Sequence, residues 1–153
     1  MRSLIFCLVT LLPTIAFADP VARDGWTVMP TTHAYSDLVA RVKEATKQNG
    51  MNVVTEAGPT EAAAARGITI PGNKVLGVFN NSFAVRMLKA SEAAMIEAPV
   101  RFYVTEQPNG NATLSWKKPS FVFAPYASDG ADVVPIAAEL DTIFATIGAQ
   151  AAK

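Results

Sequence analysis

VRFYVTEQPNGNATLSWK, residues Val100 to Lys117, consists of two alternating runs around a turn. Val100, Phe102 and Val104 alternate with Arg101, Tyr103 and Thr105. That period of two belongs to a strand with one apolar face. Asn109-Gly110 between the runs signals a hairpin, which pairs the runs antiparallel. Alternation puts Arg101, Tyr103 and Thr105 on one face and sends Glu106 to the other, with Phe102 and Val104. A carboxylate on the apolar face either lies at a solvated strand end or faces a cleft, and Glu106 is a candidate ligand-binding residue on the second reading. Arg101 is its counterpart on the polar face.

Outward from the hairpin, elements of period two alternate with elements of period 3.6. KVLGVFN, 74–80, is an apolar run with the composition of a strand buried on both faces. SFAVRMLKASEAAMIEA, 82–98, follows as one predicted helix with Phe83, Val85, Leu88, Ala94 and Met95 on its apolar side, bounded by Pro99. Further upstream, GWTVMPTT, 25–32, reads as a first strand, with Pro30 favouring an edge or a bulge. AYSDLVARVKEATKQNG, 34–50, is a helix with Tyr35, Leu38, Val39, Val42 and Ala45 in one stripe. Ser36 or Asp37 is its expected cap and Gly50 its stop. MNVVTEAG, 51–58, is a strand, and PTEAAAARG, 59–67, a short helix entered at proline. After the hairpin, KKPSFVFAPY either prolongs the last strand or leaves the sheet at Pro119. The chain closes with an amphipathic helix, 132–150, carrying Ile136, Leu140, Ile143, Phe144 and Ile147. The predicted order is β-α-β-α-β-α-β-β-α, an α+β domain with a single mixed or antiparallel sheet packed against helices.

The first eighteen residues read as a separate unit. Arg2 precedes an apolar run, Leu4 to Leu12, and Ala16-Phe17-Ala18 is a small-x-small cleavage pattern. These are the three parts of a secretory signal peptide. Pro13 interrupts the run well short of the ~20 residues that span a bilayer. Cleavage after Ala18 leaves 135 of the 153 residues as one domain, 19–153. The expected compartment is the periplasm, or the exterior of the cell. No other segment reads as a membrane span. Cys7 is the only cysteine and departs with the leader, which removes thiolate chemistry, disulfides and cysteine metal sites. Loss of Arg2 leaves 12 basic and 13 acidic residues without long runs of one sign. A nucleic-acid footprint or a polybasic membrane patch is therefore not expected.

The region 32–119 resembles the bacterial and archaeal family known as domain of unknown function 302. The corner VLGVFNNS matches that family's "vL.FgNP" pattern at Asn81, with Asn80 in place of glycine and Ser82 in place of proline. APVRFYVTEQPNGNATLSWKKP matches the later pattern at Pro99, Arg101, Val104, Glu106, Gly110 and Pro119, with Trp116 in place of tyrosine. The resemblance implies an α+β domain that tends to form homodimers. It implies no activity and carries over no catalytic residue.

Candidate sites follow from the residue types. At Asn80, Asn81 and Ser82 an apolar strand gives way to a helix, where free backbone N–H groups and a positive dipole end suit an anion. Helix capping by Asn81 or Ser82 accounts for the same residues. His33, the single histidine, stands beside Ser36 and Asp37. A hydrolase needs Ser, His and acid to converge, but no G-x-S-x-G elbow accompanies them. One histidine and no retained cysteine offer no zinc set, and Asp129 and Asp132 lack the ligand density of a calcium loop. No metal or cofactor is expected. Trp26, Trp116, Phe121, Phe123 and Tyr126 either fill the core or line a pocket or a dimer seam. The function expected is a non-enzymatic module binding a small, partly apolar ligand. The alternatives are a homodimeric structural or interaction domain and, last, a hydrolase using His33.

Overall fold

The computed structural model describes residues 20–153, so the predicted leader, 1–18, lies outside the described residues. Five strands form one sheet: β1 (Trp26–Ala34), β2 (Asn52–Ala57), β3 (Asn73–Phe79), β4 (Val100–Glu106) and β5 (Asn111–Lys117). Their order across the sheet is β1-β5-β4-β3-β2, and every neighbouring pair is antiparallel. The helices are α1 (Tyr35–Gln48), α2 (Thr60–Ala64), α3 (Asn81–Ala90), α4 (Pro119–Phe123) and α5 (Val133–Ala151). The chain is an α+β domain, and the predicted succession of elements is present with α4 added.

The β4–β5 turn sets the register. Gln107 N donates to Asn111 O at 2.7 Å, and Gly110 N donates to Gln107 O at 2.9 Å. Gly110 has φ +83°, and no non-glycine residue has a positive φ among the described residues. A two-residue turn of the mirror-image type would require positive φ at Asn109 as well. The loop instead has three residues, Pro108–Gly110, with the glycine alone in the left-handed region. Phe102 therefore pairs with Trp116, and Tyr103 with Ser115.

Phe102 is fully buried at the centre of the core. Its ring stacks on Phe144 of α5 at 4.7 Å and meets Trp116 edge-on at 5.3 Å. Leu38 and Val42 of α1, Leu76 of β3, Leu114 of β5 and Ile136 and Ile147 of α5 complete this layer. Gly148 lets α5 approach: a Cβ there would lie 2.6 Å from the Trp116 ring. By length and hydropathy α5 reaches the measure of a membrane span, which the sequence was not expected to show outside its leader. Eight of its residues are buried in this core.

Three local expectations change, and one open alternative is decided. The predicted helix 82–98 is two pieces, α3 and a 3-10 turn at Ala93–Glu97. Ser91 is extended between them; its hydroxyl lies 2.6 Å from Asp129 and accepts from Ala94 N at 3.1 Å, which starts the second turn. At the start of α1 neither Ser36 nor Asp37 caps; Ala34 holds the cap position, without a side-chain bond. β3 is buried over Leu76–Val78 only, since Val75 reaches a half-exposed face. Past Pro119 the chain leaves the sheet and turns into α4.

Phe102→Ala is expected to cost about 3–5 kcal/mol, because it opens a cavity where two ring contacts, with Phe144 and Trp116, are lost. Urea unfolding monitored by circular dichroism measures this, with Ile96→Ala, at a residue 77% exposed, as the near-neutral control.

Candidate functional site

Helices α1 and α5 pack on the Phe102 side, and no helix lies across the opposite face of the sheet among the described residues. Register sets what that face carries. Trp26 pairs with Lys117, and the β4–β5 pairing of Phe102 with Trp116 continues to Arg101 opposite Lys117. Arg101 in turn faces Gly77. The next row is Val28, Ser115, Tyr103 and Val75. Two rows thus place Trp26, Lys117, Arg101, Tyr103 and Val75 side by side.

These side chains floor a cavity of about 570 Å³. Phe121, Val122 and Pro125, from α4 and the turn after it, form one wall, and Glu97 of the 3-10 turn stands at another. The volume falls in the range of small-molecule sites, roughly 300–1,000 Å³. The wall is anchored at Gly25, where Lys118 N donates to Gly25 O at 2.7 Å. Phe121 lies across this glycine: a Cβ would stand 2.1 Å from its ring, and φ is +73°. Glycine alone fits both the conformation and the contact. Phe123, two residues on, is buried in the core, so α4 presents one aromatic ring to each side.

Charge is distributed unevenly over the floor. Arg101 and Lys117 line the cavity, and neither has a carboxylate partner among the described residues. The Nε of Arg101 donates to Pro99 O at 3.3 Å. Lys117 Nζ lies 5.8 Å from the Trp26 ring centroid, and the Arg23 guanidinium 5.9 Å from it. Glu97 is held by the Tyr126 hydroxyl, which donates to its Oε1 at 3.0 Å. That bond, with burial second, raises the Tyr126 phenol above its ordinary range.

The sequence candidates do not converge. Of the polar candidates, Arg101 alone lines this cavity. Asn80, rather than Asn81 or Ser82, caps α3: its Oδ1 accepts from Ser82 N at 2.8 Å and Phe83 N at 3.2 Å, and its Nδ2 donates to Gly50 O at 2.8 Å. The crevice beside it, among Met51, Val78, Phe83 and Met87, measures about 40 Å³, the size of a water site. Asn81 and Ser82 are exposed on the first turn. Glu106 ties β4 to the loop before β3: its Oε2 accepts from Gly72 N at 2.6 Å while its own N–H donates to Gly72 O at 2.8 Å. The hollow there measures about 90 Å³. Gly72 lies against the Tyr35 ring, where a Cβ would stand 2.4 Å away. The Tyr35 hydroxyl is buried without a hydrogen-bond partner, and burial, outweighing the pull of Lys74, raises its pKa above the ordinary 10.0.

His33 lies elsewhere, at the far end of β1. Its Nδ1 stands 3.2 Å from Asp37 Oδ2, which also accepts from Arg41 Nε at 2.9 Å. Its Nε2 is buried without a partner, so no serine hydroxyl bonds the ring. Among the described residues no three of His, Cys, Asp and Glu cluster as metal ligands.

Trp26, Trp116 and Phe121 were candidates from their residue type, whereas Lys117, Tyr103, Val75 and Glu97 were not. The available signal was parity: counting outward from a three-residue hairpin loop sets Lys117 opposite Arg101.

A single antiparallel sheet with helices packed on one face and a cavity on the other defines the class, an α+β sheet-and-helix domain. The chain belongs to the family described as Domain of unknown function DUF302, whose sequence model matches residues 27–149. The fold is similar to the crystal structure of an uncharacterized conserved DUF302 protein from Bacillus stearothermophilus, with a TM-score of 0.72 at 20% identity. The match covers 83% of this chain and 98% of the other. No curated protein matches.

Asn80→Ala is expected to lower stability by about 1 kcal/mol, while Asn81→Ala and Ser82→Ala change it little; urea midpoints decide this. Tyr35→Phe is expected to change stability little at neutral pH, since the buried hydroxyl, beside Thr60 and the Asn73 backbone, makes no hydrogen bond of good geometry. Because the folded phenol holds its proton more tightly than the unfolded one, wild-type stability is full below about pH 10 and declines as pH rises through the folded value. Melting temperatures from pH 8 to 12 should therefore fall less steeply in Tyr35→Phe.

Proposed function

We propose that this protein is a non-enzymatic binding module that holds a small, partly apolar ligand on the helix-free face of its sheet. The cavity floored by Trp26 and Tyr103 and walled by Phe121 carries this reading. Its aromatic floor offers contact area, and the strands beneath hold it rigid, so little ordering is required when a ligand binds. The module acts in the periplasm or outside the cell, on the strength of the leader read in residues 1–18.

Native mass spectrometry of protein taken gently from its own compartment tests the reading. The expected result is a removable added mass that is lost in Phe121→Ala, a change at a half-exposed residue that leaves the core intact. A mass that persists in Phe121→Ala, or no bound mass, counts against this site.

A second reading is a homodimeric interaction domain. The observation favouring it is the apolar exposure beside the cavity: Ile96, next to Glu97, and Phe121. Sedimentation velocity distinguishes it. A dimer that Ile96→Asp splits would support that reading, and a monomer would end it.

A further inference from the structure

We infer that the ligand class of this cavity is a small organic monoanion, a carboxylate or sulfonate on a flat apolar body, held by Arg101 and Lys117. The inference rests on the proposed binding role and specifies its chemistry. Arg101 and Lys117 occupy directly opposed positions on adjacent strands, where like charges repel. Four other cations are taken up by carboxylates: Arg41 by Asp37, Lys43 by Glu56, Lys74 by Glu61 and Arg86 by Glu139. The two cavity cations have no such partner among the described residues.

An anion seated between them relieves the repulsion and receives charge-assisted hydrogen bonds from both. Arg101 engages Pro99 O only through its Nε, which leaves the outer guanidinium nitrogens to meet a carboxylate or sulfonate side-on. Lys117 adds a point charge above Trp26, with Arg23 on the same ring. Glu97 is the one carboxylate on the lining among the described residues and is engaged by Tyr126. One negative against two positive groups gives the lining a net charge that a single anionic group balances. The apolar body has its place on Tyr103 and Val75 and against Phe121 and Val122. The rings of Trp26, Tyr103 and Phe121 favour a flat body, because aromatic surfaces gain most from stacked or edge contacts.

A matched pair of fluorescent probes tests this: 1-anilinonaphthalene-8-sulfonate, which is anionic, and N-phenyl-1-naphthylamine, which has the same rings without the charge. Both are titrated into full-length mature protein and into Arg101→Gln/Lys117→Gln, with far-UV circular dichroism and urea midpoints as checks on the fold. Both substituted residues are exposed, so the fold is retained. The wild type should bind the anionic probe more tightly than the neutral one. The double variant should lose about tenfold or more of the anionic probe's affinity, roughly one charge-assisted contact by the usual conversion, with the neutral probe unchanged. Equal binding of the two probes, or an unaltered anionic affinity in the double variant, overturns the anion assignment. In that case retained binding of both probes, lost in Phe121→Ala, leaves the cavity reading standing. Failure of both probes to bind, or binding indifferent to Phe121→Ala, overturns the cavity reading and the anion assignment together.

Discussion

The stacking of Phe102 on Phe144, at 4.7 Å between centroids, is the contact on which the arrangement depends. It sets α5 against the middle of the sheet, and Gly148 brings the same helix onto Trp116. With α1 beside α5, and Met87 and Phe83 of α3 packed against the same core, the helices are committed to the Phe102 face. No third long helix remains for the other face. A sheet buried on one side has its alternate residues committed to the second surface, and along β4 these are Arg101, exposed, and Tyr103, half-buried, with Thr105 buried beyond them. The cavity exists because helix packing was used up on the opposite side.

What turns that free face from a flat surface into a concave one is the stretch after β5. Pro119 lacks an N–H for ladder pairing and suits a first helical turn, so the chain bends into α4 there. The short helix sends Phe123 into the core and Phe121 across Gly25, fixing the wall by burial on one side and by close backbone contact on the other. Ser91 and Asp129 act comparably at the other border. By breaking the helix after Ala90 they place the Ala93–Glu97 turn, and with it Glu97, at the rim.

Polar groups that stood out along the chain have mostly local duties. Asn80 satisfies three main-chain groups where β3 meets α3, and Glu106 clamps the loop before β3. Each was visible in the sequence as a polar residue at an apolar boundary, because such boundaries leave backbone groups that need partners. The same physics that makes them conspicuous engages them structurally. Arg101 differs because strand alternation directs it away from the core, and no carboxylate among the described residues neutralises it.

The sequence by itself determined the elements and their order. Periods of 2 and 3.6 depend only on which residues are apolar, and caps, glycines and prolines act within a few positions. The family pattern around Asn81 and along 99–119 was equally legible, as was which face of β4 is apolar. Only the tertiary structure decided that Lys117 faces Arg101. A two-residue turn at Asn109-Gly110 would have set Lys118 there, and the choice rests on one backbone angle at Asn109. The strand order that brings β1 beside β5, and so Trp26 beside Lys117, likewise came from long-range pairing. A cavity whose lining spans residues 26 to 125 depends on such pairings, and local sequence patterns carry no record of them.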